Sequence, residues 1–351
     1  MRVLFVTTSY PSAEDPTGEF VREHALAAAE HADITVLHLA REERFGLEKI
    51  DGEPLPTYRS GFPRRPAAAG LLAAAAAAWP RLPRHDLVHA HFFLAGAAAA
   101  LLDRRPLVIS EHWSVFLPED PLTLTPPLRA AARFAFSRAR FVLPVSCALE
   151  RGILATAPGA RTSVVRNAVD TSLFHPQGEH DPGFLLSVGM FYEAKGHDLL
   201  LSALEEVVAV RPDVTLALVG DGDLRPALER RAAGLPVTFC GVIPKPAVAE
   251  LLRRADVFAL PSRFETSGVA AIEALASGVP VVGTPVAAIP ELIGPENGVL
   301  AGPDGLAAAI LAGLTREFDR AAIAADASEH YGRTTIGNQL ADIYRRAMDV
   351  A

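Results

Sequence analysis

At 351 residues the chain exceeds the size at which one hydrophobic core usually stops growing, so two domains are expected. Half of the residues are hydrophobic and 21% are charged, which excludes a disordered chain. A net charge of −8, with no basic run interleaved with aromatic residues, argues against nucleic acid as a partner.

The chain opens with "RVLFVTT", an apolar run too short for a signal-peptide core and predicted as a first strand. "DITVLHL", "DLVHAH", "PLVIS", "FVLPVS" and "TSVVRN" follow in order as buried strands, several with helix-length segments rich in Ala, Leu, Glu and Arg between them. The longest low-polarity run, Ala67 to Trp79, is too short to span a bilayer. "RNAVDTSLFHPQGEHDPG" then breaks the alternation with Pro, Gly and polar residues, as a linker does. The alternation restarts with "GFLLSVGM", "VTLALVGDG", "PVTFCGVI", "DVFALPS", "VPVVGT" and "NGVLAG". The final "TTIGNQLADIYRRAMDV" places Ile336, Leu340, Ile343 and Met348 at helical spacing, with Tyr344 beside them.

Strand–helix alternation of this kind predicts an α/β fold of two Rossmann-like, doubly wound domains facing a cleft. The expected division is residues 1–170, a linker over 171–182, and a second domain over 183–333, with a helix over 334–351 packing back on the first. Ligands are then expected at the carboxyl ends of the strands.

Charge is uneven. Residues 1–170 carry 19 Lys and Arg against 18 Asp and Glu, and residues 171–351 carry 14 against 23. From Tyr58 to His85 there are five arginines, Arg59, Arg64, Arg65, Arg81 and Arg84, and no acid. A solvated surface is the simpler reading; a docking edge for a phosphorylated acceptor or an anionic membrane surface is the sharper one. Cys147 and Cys240 offer neither a disulfide framework nor metal-ligand spacing, and fit a reducing cytoplasm.

In "FETSGVAAIEALASGVPVVGT" two glutamates, Glu265 and Glu273, sit among small and apolar residues, where a buried carboxylate is costly without a partner. Glu265 falls in the turn between the strand "DVFALPS" and a helix beginning at Ser267. The backbone N–H groups of Ser267 and Gly268 are expected to be free to bind an anion. A diphosphate there would leave one carboxylate near each end of the ligand, and carboxylates grip vicinal hydroxyls well. Equally, Glu265 could do no more than complement the helix dipole, and Glu273 could be a solvated helix residue.

The Glu-x7-Glu stretch with "EALASGVPVVGT", the following "PVAAIPELI", the "NAVDTSLFHP" at the linker, "SVGMFYEAKGHDLLLSAL", "VGDGDL", "DLVHAHF" and the opening "TTSYPSAEDPTGEFVREHALAAA" together resemble the family 4 glycosyltransferases, retaining enzymes of the GT-B fold. The resemblance implies that Glu265 contacts donor-sugar hydroxyls and that Glu273 holds the nucleotide ribose. It places the backbone of Ser267, Gly268 and Val269 on the diphosphate and Lys195 on the phosphate charge. Gly18 would let backbone approach the phosphate or acceptor, and His112, in "SEHWS", would lie beside the transferred sugar.

The implied activity is metal-independent transfer of a sugar from a nucleotide-diphosphate donor, UDP- or GDP-linked, to an acceptor hydroxyl, with no resident cofactor. The acceptor is a saccharide, a glycolipid or a natural product. Its specificity is assigned to loops around Pro11 to Phe20, Tyr58 to His85 and Trp113 to Pro127. A sugar-nucleotide epimerase of the same architecture and an inactive sugar-nucleotide-binding protein are the alternatives. The latter is motivated by Met190, which follows Gly189 where the family usually has Arg; Arg263 is the candidate substitute.

Two other patterns are expected to carry no metal. "DGD", Asp221 to Asp223, ends a strand and is good turn chemistry. His89 and His91 share a strand face but lack a third ligand at suitable spacing.

Overall fold

The computed structural model describes residues 1–12, 17–42, 46–63 and 67–349. The chain divides into two units, one of Met1–Ala168 with Arg333–Ala351 and one of Val169–Gly332. Both are α/β, as the alternation predicts.

The first unit holds β1 (Arg2–Thr7), β2 (Asp33–Arg41), β3 (Leu47–Ile50), β4 (Thr57–Phe62), β5 (Leu87–His91), β6 (Leu107–Glu111) and β7 (Phe141–Pro144). They pair in the order β3-β4-β2-β1-β5-β6-β7, all parallel except β3, which is antiparallel to β4. Every residue of β5, β6 and β7 is buried, as expected of strands with helices on both faces. The chain winds outward from β1 through β2, then outward again through β5 on the other side. This puts a topological switch point between β1 and β5, where ligands bind in such sheets.

The second unit holds β8 (Phe184–Val188), β9 (Thr215–Val219), β10 (Val237–Gly241), β11 (Val257–Leu260), β12 (Val281–Gly283) and β13 (Gly298–Leu300). Their order is β10-β9-β8-β11-β12-β13, all parallel. Its switch point lies between β8 and β11, so the loops after those two strands are favoured for ligand contact.

The helix Arg333–Asp349 belongs to the first unit. Ile336, Leu340, Ile343, Tyr344 and Ala347 are buried in the same cluster as Val21, Ala25 and Ala28 of the helix Glu19–Ala29. A Cβ on Gly337 would overlap the carbonyl of Ala27, so its bare Cα is what lets the two helices meet. Arg333 fixes the helix start with two bonds to Glu23, at 2.7 and 2.9 Å. Each large apolar side chain of the seam contributes roughly 1.5–3 kcal/mol of burial.

Four local expectations change. Met348 is 43% exposed, and Ala347 takes its place on the buried face. "TSVVRN" is not a strand: it makes one isolated bridge, Val142 to Thr162, and runs beside β7 through the bonds of Ser163 and Val165 N–H to Val142 and Pro144 carbonyls. β3 exposes Glu48 and Lys49, and β4 is interrupted by Thr57, Arg59 and Ser60, so neither announces itself as an apolar run. Residues 171–182, read as a linker, fall in the second unit, where Phe174 is buried in a hydrophobic cluster.

Candidate functional site

At the switch point of the second unit, the loop after β8 carries Lys195 and the loop after β11 carries Glu265. Gly196, at φ 63, starts the helix His197–Val210, and a Cβ there would overlap the Pro261 carbonyl. The two loops therefore touch through a residue that only glycine suits. Lys195 Nζ lies 2.5 Å from Glu265 Oε2, and the other carboxylate oxygen accepts the Thr266 N–H at 3.1 Å. Burial pushes the Glu265 carboxyl up. The Lys195 charge and hydrogen bond, with the N–H groups of Gly268 and Ser267, outweigh it and hold the group below the ordinary value.

That arrangement corrects one expectation. The Ser267 and Gly268 N–H groups point at the carboxylate of Glu265, so the chain's own acid occupies the anion site at the head of the helix Val269–Ala276. The helix opens from Gly268 at φ 69.

Glu273 lies inside that helix and is 4% exposed, so it is not a solvated helix residue. Its partner is Lys245, whose Nζ forms an ion pair with Glu273 Oε1 and lies 5.5 Å from the centre of the Phe174 ring. The sequence reading missed Lys245. It stands at the first position of the helix Lys245–Arg254, just past β10, where a cation is a strand-end residue as much as a surface one.

Met190 is 39% exposed, with no cation in its place. Arg263 is committed elsewhere: it grips both oxygens of Asp198 at 2.8 and 2.7 Å and donates to the Glu193 carbonyl at 2.8 Å. It thereby braces the loop that carries Lys195. Asp221 accepts the Gly222 N–H at 2.7 Å and pairs with Arg225 at 3.1 Å, the geometry of a turn.

In the first unit, the switch point gathers Gly18, His91 and His112. Gly18, at φ 92, opens the helix Glu19–Ala29, and a Cβ there would sit 2.6 Å from the Ser9 carbonyl carbon and the Tyr10 nitrogen. Its missing side chain is thus used by its own loop. His112 follows β6, with the Phe20 ring centroid 4.6 Å from its own. The Glu111 carboxylate accepts the N–H groups of Phe93, His112 and Trp113 at 2.8, 3.0 and 3.0 Å, which sets the turn that carries His112. Burial pushes the Glu111 carboxyl up to about 7 against the pull of those bonds. Phe93 packs against both Trp113 and Phe116, each pair of ring centroids 5.8 Å apart.

Of the basic stretch, Arg64 and Arg65 lie outside the described residues. Arg59 pairs with Glu42 at 3.1 Å, and Arg81 donates to the Ala77 carbonyl. A denser group, Arg104, Arg105, Arg138, Arg140 and Arg161, lines a pocket of about 420 Å³. Among the described residues no helix is long and apolar enough to cross a membrane.

Residues 18–173 match the family model Glycosyltransferase Family 4, and residues 182–316 match Glycosyl transferases group 1. The chain is 36% identical over 203 residues to a GDP-mannose-dependent alpha-(1-6)-phosphatidylinositol dimannoside mannosyltransferase of Mycobacterium tuberculosis, covering 52% of this chain and 53% of that one. The chain spans about half the length of the first of these curated relatives. It is 30% identical to the 2-deoxystreptamine N-acetyl-D-glucosaminyltransferase of Streptomyces fradiae, over 99% of this chain and 93% of that one. Its fold is that of Anabaena Alr3699/HepE in complex with UDP-glucose, with a TM-score of 0.73, 20% identity, and 98% and 99% of the two chains covered. With both sheets, both switch points and the matched family models in agreement, the chain belongs to glycosyltransferase family 4.

Proposed function

We propose that the protein is a retaining glycosyltransferase that moves a sugar from a nucleotide-diphosphate donor to an acceptor hydroxyl without a metal ion in the transfer step. The observation that carries this reading is the contact of Lys195 with Glu265 at the switch point of the second unit. When a donor enters, the Lys195 ammonium exchanges the carboxylate for phosphate oxygens. Glu265 is then released to accept hydrogen bonds from the donor sugar, and the N–H groups of Ser267, Gly268 and Val269 face the diphosphate. Glu273 takes the ribose hydroxyls.

The bond between the anomeric carbon and the phosphate oxygen breaks, and the bond to the acceptor oxygen forms on the same face. The acceptor proton passes to the departing phosphate, so a nucleoside diphosphate leaves. Lys195 and the helix N-terminus stabilise the charge that develops on it. Gly18 and His112 serve the acceptor and the transferred sugar. The names of the relatives support a UDP- or GDP-linked donor and a saccharide, glycolipid or natural-product acceptor. A cytoplasmic location and peripheral contact with an anionic membrane, through the Arg59–Arg84 stretch or the arginines around the pocket, belong to the same proposal.

The test is thermal stabilisation by UDP, GDP and ADP in the presence of a chelator, on wild type and Glu273→Ala. One nucleotide should stabilise the wild type and leave the variant unmoved; no shift in either sinks the reading. Met190 favours a second reading, an inactive sugar-nucleotide-binding protein, which would be stabilised in this way but release no nucleoside diphosphate with any acceptor. An epimerase would convert the donor sugar with no acceptor present.

A further inference from the structure

Four imidazoles gather in the first unit, and one of them is fully satisfied. His89 Nε2 lies 2.8 Å from Ser110 Oγ and Nδ1 lies 2.7 Å from the Tyr344 hydroxyl. The other three are not. His24 Nδ1, His91 Nε2 and His112 Nδ1 are buried with no hydrogen-bond partner among the described residues.

The His24 tautomer follows from its neighbour. Its Nε2 lies 2.9 Å from the Arg166 carbonyl oxygen, which can only accept, so the proton is on Nε2 and Nδ1 presents a bare lone pair. An N–H donated to a backbone carbonyl is the support that metal-binding histidines usually have. His91 Nδ1 and His112 Nε2 are 3.0 Å apart, two nitrogens converging on the space of one proton. One nitrogen from each of His24, His91 and His112 can be chosen so that all lie within 4.8 Å of one another.

The ring centroids are 5.6 Å apart for His24 and His91, 5.7 Å for His24 and His112, and 5.2 Å for His91 and His112. An ion held tetrahedrally at about 2.0–2.1 Å puts ligand nitrogens about 3.3 Å apart and imidazole centres roughly 5 Å apart. The observed triangle is already close to that size. His24 and His91 are fully buried and His112 is 8% exposed. Burial pushes all three imidazoles below their ordinary value, His24 to about 4.

We propose that His24, His91 and His112 form a three-imidazole site for a borderline divalent ion of the Zn²⁺ class, with a fourth position open to water or a ligand oxygen. Three neutral nitrogen donors and no carboxylate select such an ion over Mg²⁺ or Ca²⁺, which want oxygen. The ion ties the helix Glu19–Ala29 to the ends of β5 and β6. The site is confined to the first unit and shares His112 with the proposed function, where that side chain meets the transferred sugar; its test reads metal binding and no transfer, so the two readings fail separately.

The full chain, carrying no histidine tag and freed of metal by a chelator, is titrated with Co²⁺. The expected result is one equivalent bound, with the intense visible absorption of a four-coordinate centre, displaced by Zn²⁺. His24→Gln and His91→Gln should lose that absorption and His89→Gln should keep it, each checked for folding by circular dichroism. Weak six-coordinate absorption in the wild type, or an unchanged band in folded His24→Gln, overturns the proposal. Should the variants unfold, the zinc X-ray absorption spectrum of the wild type decides: an imidazole shell of three supports the site, and an oxygen shell alone refutes it.

Discussion

Lys245 holds Glu273, joining the first turn of the helix after β10 to a carboxylate inside the helix after β11. The pair explains how an acid survives in so apolar a segment, because the ammonium offsets the desolvation of the carboxylate. Removing one partner should cost about 1–3 kcal/mol by leaving a buried polar group unmet. Lys245→Met is therefore expected to lower the urea unfolding free energy by that amount, and the double change Lys245→Met/Glu273→Gln to restore part of it. A single variant as stable as wild type would show that the pair contributes nothing.

Acid should weaken the second unit in two windows. Burial, followed by the Lys195 charge, lowers His197 from 6.5 to about 4. The unfolded chain then takes up a proton that the folded one refuses, and stability falls as pH drops from 6.5 towards 4. Glu265 has the opposite character, a carboxyl held below its ordinary value of 4.5. Its contribution is complete above 4.5 and disappears as pH falls through the folded value. Thermal unfolding followed from pH 7 to pH 3 should show His197→Gln flattening the upper window and Lys195→Met the lower one. An unchanged upper slope in His197→Gln would rule out that residue as its source.

Two glycines with similar backbones make a controlled comparison. Gly196 and Gly234 both have positive φ, 63 and 85, but a Cβ on Gly234 meets nothing within 4 Å. Gly234→Ala should cost only the left-handed backbone, on the order of 1 kcal/mol. Gly196→Ala adds the overlap with Pro261, so it should cost more and also weaken the nucleotide-induced thermal shift by parting Lys195 from Glu265. Equal urea midpoints for the two variants would contradict the close approach of the loops.

Arg263 and Lys195 should separate cleanly in nucleotide binding. Since Arg263 is spent on Asp198, Arg263→Met is expected to change nucleoside diphosphate affinity by less than about tenfold, the equivalent of 1.4 kcal/mol. Lys195→Met should exceed that. Calorimetric titration measures both, and a larger loss for Arg263→Met would assign it the phosphate role that Met190 leaves vacant.

The second unit was the more legible half. All six of its strands were visible as apolar runs; the inner ones, β8, β9, β11 and β12, are parallel strands covered on both faces, which need few polar residues. β3, "LEKI", sits at a sheet edge with Glu48 and Lys49 both exposed, so nothing in its composition sets it apart. The chemistry was legible as residue types but not as partners. Glu265 and Lys195 were each singled out, yet their contact depends on two loops 70 residues apart. Lys245 carries no local signal, and His24 lies on a helix where apolar neighbours hide it. For Glu265 the helix-end reading is the one the structure shows, and the proposed ligand role would use the same carboxylate. In the free protein it caps the helix with the same oxygens that a donor would draw on.

The helix Arg333–Asp349 has a consequence for how the molecule is made. Its residues complete the interior of the unit that begins at Met1, yet they follow the whole second unit in the chain and leave the ribosome after it. A nascent chain at Ala168 has the whole seven-stranded sheet but an uncovered apolar face on the helix Glu19–Ala29. The second unit, continuous from Val169 to Gly332, can close before that face is covered. The half synthesised first is therefore the half finished last, and any chain that stops at Gly332 carries one complete unit and one open one.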